Sequence, residues 1–201
     1  MTLIEEAKKG RLSPQIESVA RQEKLEPEKL ARLVAAGRVV IPRNIRRESP
    51  GEMAMGVGEA LSVKVNVNVG TSQSLDLTED EVEKARAAVA AGADAVMDLS
   101  TGGDLDLVRR KILQAVNVPV GSVPLYNAAV KKDLTSQGFF NALEKHAKDG
   151  VDFVTVHVGV NKNSLERLKN DPRIMGVVSR GGSLTMKYIS ETGEDNPYYK
   201  E

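Results

Sequence analysis

A short polar run, Ser179-Arg180-Gly181-Gly182, combines residue types that bind phosphate. Its glycines let backbone amides approach an anion, and the arginine presents a planar fork of N–H donors. The run Ser100-Thr101-Gly102-Gly103 is a second candidate for the same task. Glycine-rich loops are common, so each run alone is weak evidence. Together they lead to the hypothesis of a phosphorylated small-molecule substrate.

Five residues recur at intervals close to the length of one repeating unit, each near the end of an apolar run: Asn68, Met97, Tyr126, His157 and Ser179. Asn68 lies on the same strand face as Asn66, and two buried amides are costly unless both are hydrogen-bonded. His157 ends an otherwise apolar strand, where an imidazole can contact a ligand. The recurrence predicts one ring of side chains around a single opening.

Each member of this ring also has a purely structural interpretation. Asn68 could bind a neighbouring backbone, and His157 could be a hydrogen-bonded core residue. Met97 alone would be assigned to core packing, and Tyr126, in a loop after Pro124, to surface packing. The other histidine, His146, lies near Lys145 and Lys148 in a helix, so we expect it to be exposed and inert.

Regular strand–helix units must position these residues. Five apolar runs predict strands, at 63–69, 94–99, 118–123, 151–158 and 174–178. The runs are continuous and not alternating, which is typical of parallel strands covered on both faces. Thr78 with Glu81 forms a predicted capping box, and Gly92 and Gly150 are predicted helix ends.

Two α/β architectures fit this order, an open doubly wound sheet and a (β/α)8 barrel. The loop after the first strand, 70–74, lacks the G-x-G-x-x-G motif of the dinucleotide-binding sheet, which favours the barrel. A whole barrel needs about 250 residues, and five units are counted here. We therefore predict a partial TIM-type barrel over 61–201, which is either a fragment or completed by a partner.

The preceding residues, 1–60, are predicted to form a small, mostly helical region and an arm. Pro14 and Pro27 mark helix starts, and Gly37 a helix end. Residues 43–60 show no period and are interpreted as a linker. Its basic cluster, Arg43, Arg46 and Arg47, is expected to be a solvated loop.

Composition excludes several classes of protein. The 28 basic and 28 acidic residues balance to a net charge of +0, so no long-range field favours nucleic acid or an anionic membrane. Cysteine is absent, which excludes disulfides, thiolate nucleophiles and thiolate metal sites within these residues. The amino terminus does not have the pattern of a signal peptide, and no apolar run is long enough to span a membrane. We expect a cytoplasmic protein.

Several motifs, in order along the chain, resemble the phosphomethylpyrimidine synthase and 5-hydroxybenzimidazole synthase family. The matching stretches are VVIPRN (39–44), KVNVNVGTS (64–72), AGADAVMDLSTGGD (91–104), VPVGSVPLY (118–126), EKHAKDGVDFVTVHVGV (144–160), VSRGGS (178–183) and NPYY (196–199). The resemblance covers nearly the whole chain.

The resemblance implies a (β/α)8 barrel lyase that rearranges 5-aminoimidazole ribotide by radical chemistry, making the thiamine pyrimidine phosphate. It also implies S-adenosylmethionine, a 4Fe–4S cluster and zinc as cofactors, and a homodimer as the candidate assembly. Substrate contacts carry over to seven positions, namely Asn68, Met97, Tyr126, His157, Ser179, Arg180 and Gly181. Catalytic acid–base residues stay unassigned.

The sequence departs from the family pattern in three respects. The family's cluster-binding cysteines and zinc-binding histidines lie beyond Glu201, so we expect the 201 residues alone to be inactive. Ser62-Val63 stands where the family usually has Arg-Thr, and Val158 where a small or thiol residue is common. These differences keep two alternatives open: formation of 5-hydroxybenzimidazole from the same substrate, and a truncated, non-catalytic binding subunit.

Overall fold

The computed structural model describes residues 2–47 and 54–200. Part of the predicted linker, 48–53, lies outside these ranges. The helices are α1 (Leu3–Lys8), α2 (Pro14–Glu23), α3 (Pro27–Ala35), α4 (Thr78–Ala90), α5 (Leu105–Ala115), α6 (Pro124–Val130), α7 (Ser136–Asp149), α8 (Lys162–Asn170), α9 (Arg180–Thr192) and α10 (Pro197–Lys200). The strands are β1 (Val39–Val40), β2 (Val57–Gly58), β3 (Asn66–Val69), β4 (Ala95–Asp98), β5 (Val120–Ser122) and β6 (Phe153–Val154).

The protein is a mixed α/β structure organised around a parallel sheet of four strands in the order β3-β4-β5-β6. Helices α4, α5 and the pair α6–α7 connect successive strands. One register row runs across all four strands through Asn68, Met97, Gly121 and Phe153. Because the strands are parallel, the loops that follow them emerge at the same edge of the sheet.

The main apolar core lies between the sheet and helices α4 and α5. It contains Val69, Val96 and Val120 from the strands and Val108 and Ile112 from α5. Leu105, Val108, Ile112 and Leu113 of α5 are all buried, at the three- and four-residue spacings of one helical face. Gly150 ends α7 in a left-handed conformation, as predicted.

The first predicted strand is shorter than expected. The register places Asn66 opposite Ala95, which is the first residue of β4. Val63 therefore extends beyond the ladder and is 93% exposed. Asn66 and Asn68 are exposed too, so β3 is not covered on both faces as its apolar run had predicted.

The fifth predicted strand, 174–178, is wrong. Gly176 adopts a positive φ of 59° and donates its N–H to the carbonyl of Arg173, which closes a turn inside the apolar run. Ile174 and Met175 project into solvent, with Ile174 fully exposed. The apolar composition indicated a strand, but the turn at the glycine prevents one.

The predicted capping box of α4 is also wrong. Leu77 occupies the N-cap position without a side-chain bond, and Thr78 is already helical. The buried Glu81 carboxylate instead accepts the Gly70 N–H at 2.6 Å and the Lys84 ammonium at 2.6 Å. Glu81 thus connects α4 to the end of β3.

The amino-terminal helices pack into a separate apolar cluster that includes Ile16, Leu30 and Val34. Pro14 and Pro27 begin α2 and α3, as predicted. The cluster is linked to the start of β3 by a mostly buried ion pair between Lys64 and Glu23, at 2.7 Å. Ser62 adds two hydrogen bonds to the same carboxylate.

Arg47 does not lie in a solvated loop, which corrects the interpretation of the basic cluster. Its side chain is only 3% exposed and forms an ion pair with the fully buried carboxylate of Asp152. Its guanidinium also donates to the carbonyl of Val116, at 2.7 Å. Asp152 further accepts the backbone N–H groups of Asn44 and Val120, at 2.9 and 2.8 Å.

This contact fixes the segment after β1 to the amino end of the sheet, because Asp152 precedes β6 and Val116 precedes β5. Among the described helices, none is long and apolar enough to cross a membrane.

Candidate functional site

Two of the predicted site residues are neighbours in the sheet. Asn68 of β3 is opposite Met97 of β4, and residues in register on parallel strands point to the same face. The Asn66 amide donates to the Oδ1 of Asn68 at 3.1 Å, and both side chains are exposed to solvent. Asn68 therefore keeps its own amide N–H groups for a ligand.

Met97 is buried, in contrast to Asn68. Its side chain belongs to an apolar cluster with Val123 and Leu125, and its sulfur lies 3.9 Å from the hydroxyl of Thr155. Core packing accounts for most of its surface. Thr155, an exposed residue in the loop after β6, was missed as a site candidate. Its spacing of two residues from His157 was the available signal.

His157, Ser179 and Gly181 form a second group. The His157 Nε2 lies 3.1 Å from the Ser179 hydroxyl. The imidazole packs so closely on Gly181 that a β-carbon there would lie 2.0 Å from the ring Cε1. Any side chain at position 181 would therefore displace the histidine. This close approach explains the glycine without an anion.

The other ring nitrogen of His157 is the unusual atom of the site. Within the described part of the chain, Nδ1 is buried without a hydrogen-bond partner. Burial lowers the pKa of His157, so the ring is neutral at pH 7. A buried polar atom without a partner is uncommon in native proteins. A ligand that forms a hydrogen bond with Nδ1 would supply the missing partner.

Tyr126 and Arg180 form a third group. The Arg180 guanidinium lies over the Tyr126 ring, 5.4 Å from the ring centre, in a cation–π arrangement. Tyr126 is in helix α6 and not in a loop, because Pro124 begins that helix at a favourable position. Arg180 opens α9 directly after Ser179, whose hydroxyl caps the helix by accepting the Gly182 N–H.

Two cavities adjoin these groups. One of about 470 Å³ is lined by Tyr126 and Arg180 with Gln73 and Thr101. The other, of about 370 Å³, is lined by His157 and Ser179 together with apolar residues including Val160, Val177 and Met186. The site residues are thus distributed over a strand row and two cavities. Gln73, in the loop after β3, was missed as a site candidate, whereas Thr101, in the loop after β4, belongs to the second predicted glycine run.

The second glycine run has a structural explanation. A β-carbon at Gly102 would lie 2.1 Å from the carbonyl oxygen of Ser72, so the loops after β3 and β4 pack backbone to backbone. The Thr71 hydroxyl donates to the Gly102 carbonyl at 2.7 Å, and the Thr71 N–H to the Ser100 hydroxyl at 3.1 Å. This contact, and not an anion, requires the glycine.

His146 is not exposed, which corrects a second prediction. The side chain is buried, with Nδ1 at 2.7 Å from the Ser122 hydroxyl and Nε2 at 3.0 Å from the Arg109 guanidinium. Arg109 is also buried and pairs with the carboxylates of Asp106 and Asp149. A signal existed for both residues. His146 and Arg109 fall on the apolar faces of their helices, at spacings of three and four from buried neighbours.

The protonation of this cluster follows from its donors. Arginine has no acceptor, so Nε2 of His146 must accept, and Nδ1 then carries the proton toward Ser122. Burial, with the Arg109 charge, lowers the pKa of His146 to about 3. The pair is therefore not a serine nucleophile with a histidine base, since the imidazole donates to the hydroxyl. It is a structural connection between β5 and helices α5 and α7.

Metal ligands are not assembled here. The 201 residues contain no cysteine, and within 2–47 and 54–200 no three histidine or acidic side chains are grouped to hold an ion. The polar groups described above fit an organic ligand with hydrogen-bonding and anionic parts. They do not fit an iron–sulfur cluster or a zinc ion.

Comparison with known proteins gives a consistent result. Phosphomethylpyrimidine synthase 1 of Methanosarcina mazei is 54% identical over all of this chain and 47% of its own length. The phosphomethylpyrimidine synthases of Archaeoglobus fulgidus and Pyrococcus furiosus are 51% and 49% identical, again over the whole chain and 48% of their own lengths. The chain thus spans about half the length of these curated relatives.

The profile of the family described as Radical SAM ThiC matches residues 2–201. The match includes the parallel sheet, both cavities and every predicted site residue. This chain therefore belongs to the Radical SAM ThiC family.

Proposed function

We propose that this chain supplies substrate-binding residues of a phosphomethylpyrimidine synthase, a radical S-adenosylmethionine lyase of thiamine biosynthesis. The substrate would be 5-aminoimidazole ribotide, and the product 4-amino-5-hydroxymethyl-2-methylpyrimidine phosphate. The observation that carries the proposal is the 54% identity, over the whole chain, to a relative with that name. The same similarity favours the thiamine product over 5-hydroxybenzimidazole.

The geometry supports separate roles for the three groups. Arg180, exposed at the mouth of a cavity, would bind the phosphate, with Tyr126 holding the guanidinium in place. Asn68 offers free amide donors on the open face of the sheet. His157, neutral and with one buried nitrogen that has no partner among the described residues, would hydrogen-bond the heterocycle or ribose. In this proposal the four-stranded sheet is the first part of a (β/α)8 barrel, whose strand ends carry ligands.

The family implies S-adenosylmethionine and a 4Fe–4S cluster, which together would supply the radical. The cysteine thiolates that such a cluster needs are absent from these 201 residues. Zinc likewise finds no ligand group among the described residues. No step through either metal site can be assigned to the side chains of this sequence. In this proposal the side chains of this sequence bind and orient the substrate, and their packing keeps His157 neutral.

The proposal is tested by genetic complementation. The natural gene that contains this sequence is expressed in a strain that lacks its own phosphomethylpyrimidine synthase. We expect growth without thiamine, and the pyrimidine phosphate as the product identified by mass spectrometry. Formation of 5-hydroxybenzimidazole instead, or no growth despite a folded protein, would contradict the proposal.

The phosphate contact has its own test in the same protein. Arg180→Ala should weaken the affinity for 5-aminoimidazole ribotide more than the affinity for its dephosphorylated riboside, measured by calorimetry. Arg173→Ala is the control, because Arg173 lines the other cavity. Equal losses for the two ligands would remove Arg180 from the phosphate site.

A further inference from the structure

Asn196 makes contacts that the proposed substrate site does not explain. The residue lies between α9 and α10, and its side chain is completely buried. Its amide nitrogen donates to the carbonyls of His157 and Val160, each at 2.8 Å, and lies 3.4 Å from that of Val158. Its amide oxygen accepts the N–H of Tyr198 at 3.1 Å. Both ends of the amide are therefore occupied, which fixes its orientation.

The segment that carries Asn196 is itself anchored. The Tyr198 hydroxyl donates to the carbonyl of Phe139 in α7 at 2.9 Å, and its ring packs 5.1 Å from the Phe139 ring. Asp195 accepts the N–H of Lys162, the first residue of α8, at 2.9 Å. The closing motif Asn196-Pro197-Tyr198 thus connects α7 with the loop between β6 and α8.

This loop needs such support because β6 ends at Val154 and residues 155–161 are outside any strand. His157 is therefore not held by a ladder of backbone hydrogen bonds. Its ring contacts Ser179 and Gly181, but those contacts depend on where the backbone places the ring. The Asn196 amide binds the carbonyl of His157 itself and those of nearby residues.

We propose that Asn196 is a positioning residue for His157: by binding the carbonyls of residues 157, 158 and 160, its amide sets the place of the imidazole against Ser179 and Gly181. The functional consequence depends on the proposed substrate role of His157. The positioning itself does not, and the two can be tested separately.

The positioning is tested with Asn196→Asp, which keeps the shape and the acceptor for Tyr198 but replaces the N–H donors with a carboxylate facing three carbonyls. The 201 residues contain two histidines, and their imidazole NMR signals in the protein expressed from its natural gene are assigned by their loss in His157→Gln and His146→Gln. We expect the ring signals of His157 to shift or broaden, while those of His146, buried among α5, β5 and α7, stay unchanged. Asn163→Asp, the same change at an exposed residue of α8, should move neither.

Unchanged His157 signals in Asn196→Asp would overturn the positioning role, whatever the protein's substrate is. If the variant loses the folded His146 signals, Asn196→Ser replaces it, because the serine hydroxyl is too short to bind all the carbonyls but adds no charge. Loss of the His146 signals in both variants would make Asn196 a general structural residue and would also overturn the proposal.

The functional arm measures affinity for 5-aminoimidazole ribotide in the protein expressed from its natural gene. A misplaced contact residue lowers affinity or turnover by about 10- to 100-fold. We expect a loss of this size in Asn196→Asp and none in Asn163→Asp. A displaced His157 signal with unchanged affinity would uphold the positioning and contradict the substrate role of His157.

Discussion

The amino edge of the four-stranded sheet, where its parallel strands begin, and the carboxyl edge, where they end, differ in how their polar groups are bonded. At the amino edge, the Asp152 carboxylate is completely buried and is bonded by Arg47 and by two backbone N–H groups. At the carboxyl edge, Asn68 and Arg180 are exposed, and a buried nitrogen of His157 has no partner among the described residues.

This difference separates stability from binding. A buried charge must be paired, and removing one partner is strongly destabilising, so the amino edge is rigid and tolerates little change. Exposed or unpartnered polar groups next to a cavity contribute little to stability and remain free to bond a ligand. The contrast agrees with the general placement of ligand sites at the carboxyl ends of parallel strands in α/β proteins. The following variants test it, from the largest expected effect to the smallest.

The largest effect is expected for Arg47→Met. The substitution keeps an unbranched, apolar stem but leaves the Asp152 carboxylate buried without its cation. Breaking a buried pair in this way costs about 3–5 kcal/mol. The free energy of unfolding, measured by urea denaturation at pH 7, should fall by that amount.

Arg46→Met is the matched control, since Arg46 is the exposed neighbour in the same segment. Its effect should lie within about 0.5 kcal/mol of zero. Equal effects of the two variants would show that the amino edge is no more demanding than an ordinary surface.

The second effect concerns the buried His146 of α7, which contacts Ser122 at the end of β5 near the carboxyl edge but is bonded like a residue of the amino edge. Its folded pKa of about 3 is below the ordinary value of 6.5, so between these values the unfolded chain binds more protons. Stability should therefore fall as the pH decreases from about 6.5 to about 3, by at most about 1.4 kcal/mol per pH unit.

His146→Gln removes this titration. At pH 7 the variant should be less stable than the wild type by about 1–3 kcal/mol, because Ser122 and Arg109 lose full bonding. The difference in the free energy of unfolding between wild type and variant should narrow as the pH is lowered to 4, since only the wild type loses stability as the His146 imidazole of the unfolded chain takes up a proton. A constant difference, measured by urea denaturation at each pH, would mean that His146 is not buried in a neutral form.

The sequence predicted which segments form the strands of the sheet better than it predicted the residues at which strands and helices begin and end. Continuous apolar runs identified β3 to β6, because parallel strands must be apolar where helices cover them. The run 174–178 has the same apolar composition and was therefore predicted as a strand. Its Gly176 closes a turn through a positive φ, a backbone property that hydropathy does not reveal. Thr78 and Glu81 have the spacing of a capping box, but the Gly70 N–H, distant in sequence, competes for the carboxylate.

The places of the candidate site residues in the fold were predicted in part, for a related reason. The positions of Asn68 and Tyr126 follow from strand ends, which a periodic sequence reveals. The burial of Arg47 could not be predicted locally, because its partner Asp152 is 105 residues away. The burial of Arg109 and His146 was predictable from their helical faces, since a polar residue on an apolar face must find a buried partner.

A third variant tests the contact between Gly181 and His157 at the carboxyl edge. In Gly181→Ala the new methyl group would overlap the imidazole, so we expect the ring to move and the NMR signals of His157 to change. Overpacking of this kind costs about 1–3 kcal/mol.

Gly182→Ala is the control on the next residue of α9. A β-carbon there would lie 3.1 Å from a side-chain methyl of Val177 and 3.4 Å from Ser179, so a small adjustment accommodates it. The variant should keep the His157 signals and a stability close to that of the wild type. Identical spectra for Gly181→Ala and the wild type would contradict the close packing at this edge.

The smallest effect is expected for the pair of Tyr126 and Arg180. Tyr126→Leu, Arg180→Gln and the double variant form a thermodynamic cycle that isolates the cation–π contact from the other effects of each change. Because Arg180 is exposed, we expect a coupling of only about 0.5–1 kcal/mol in urea denaturation. A coupling free energy as large as the stability lost in Arg47→Met would mean that contacts at the carboxyl edge stabilise the fold as much as those at the amino edge. A weak coupling suits a binding residue at the mouth of a cavity, because stacking on Tyr126 orients the guanidinium and leaves its N–H donors available to an anion.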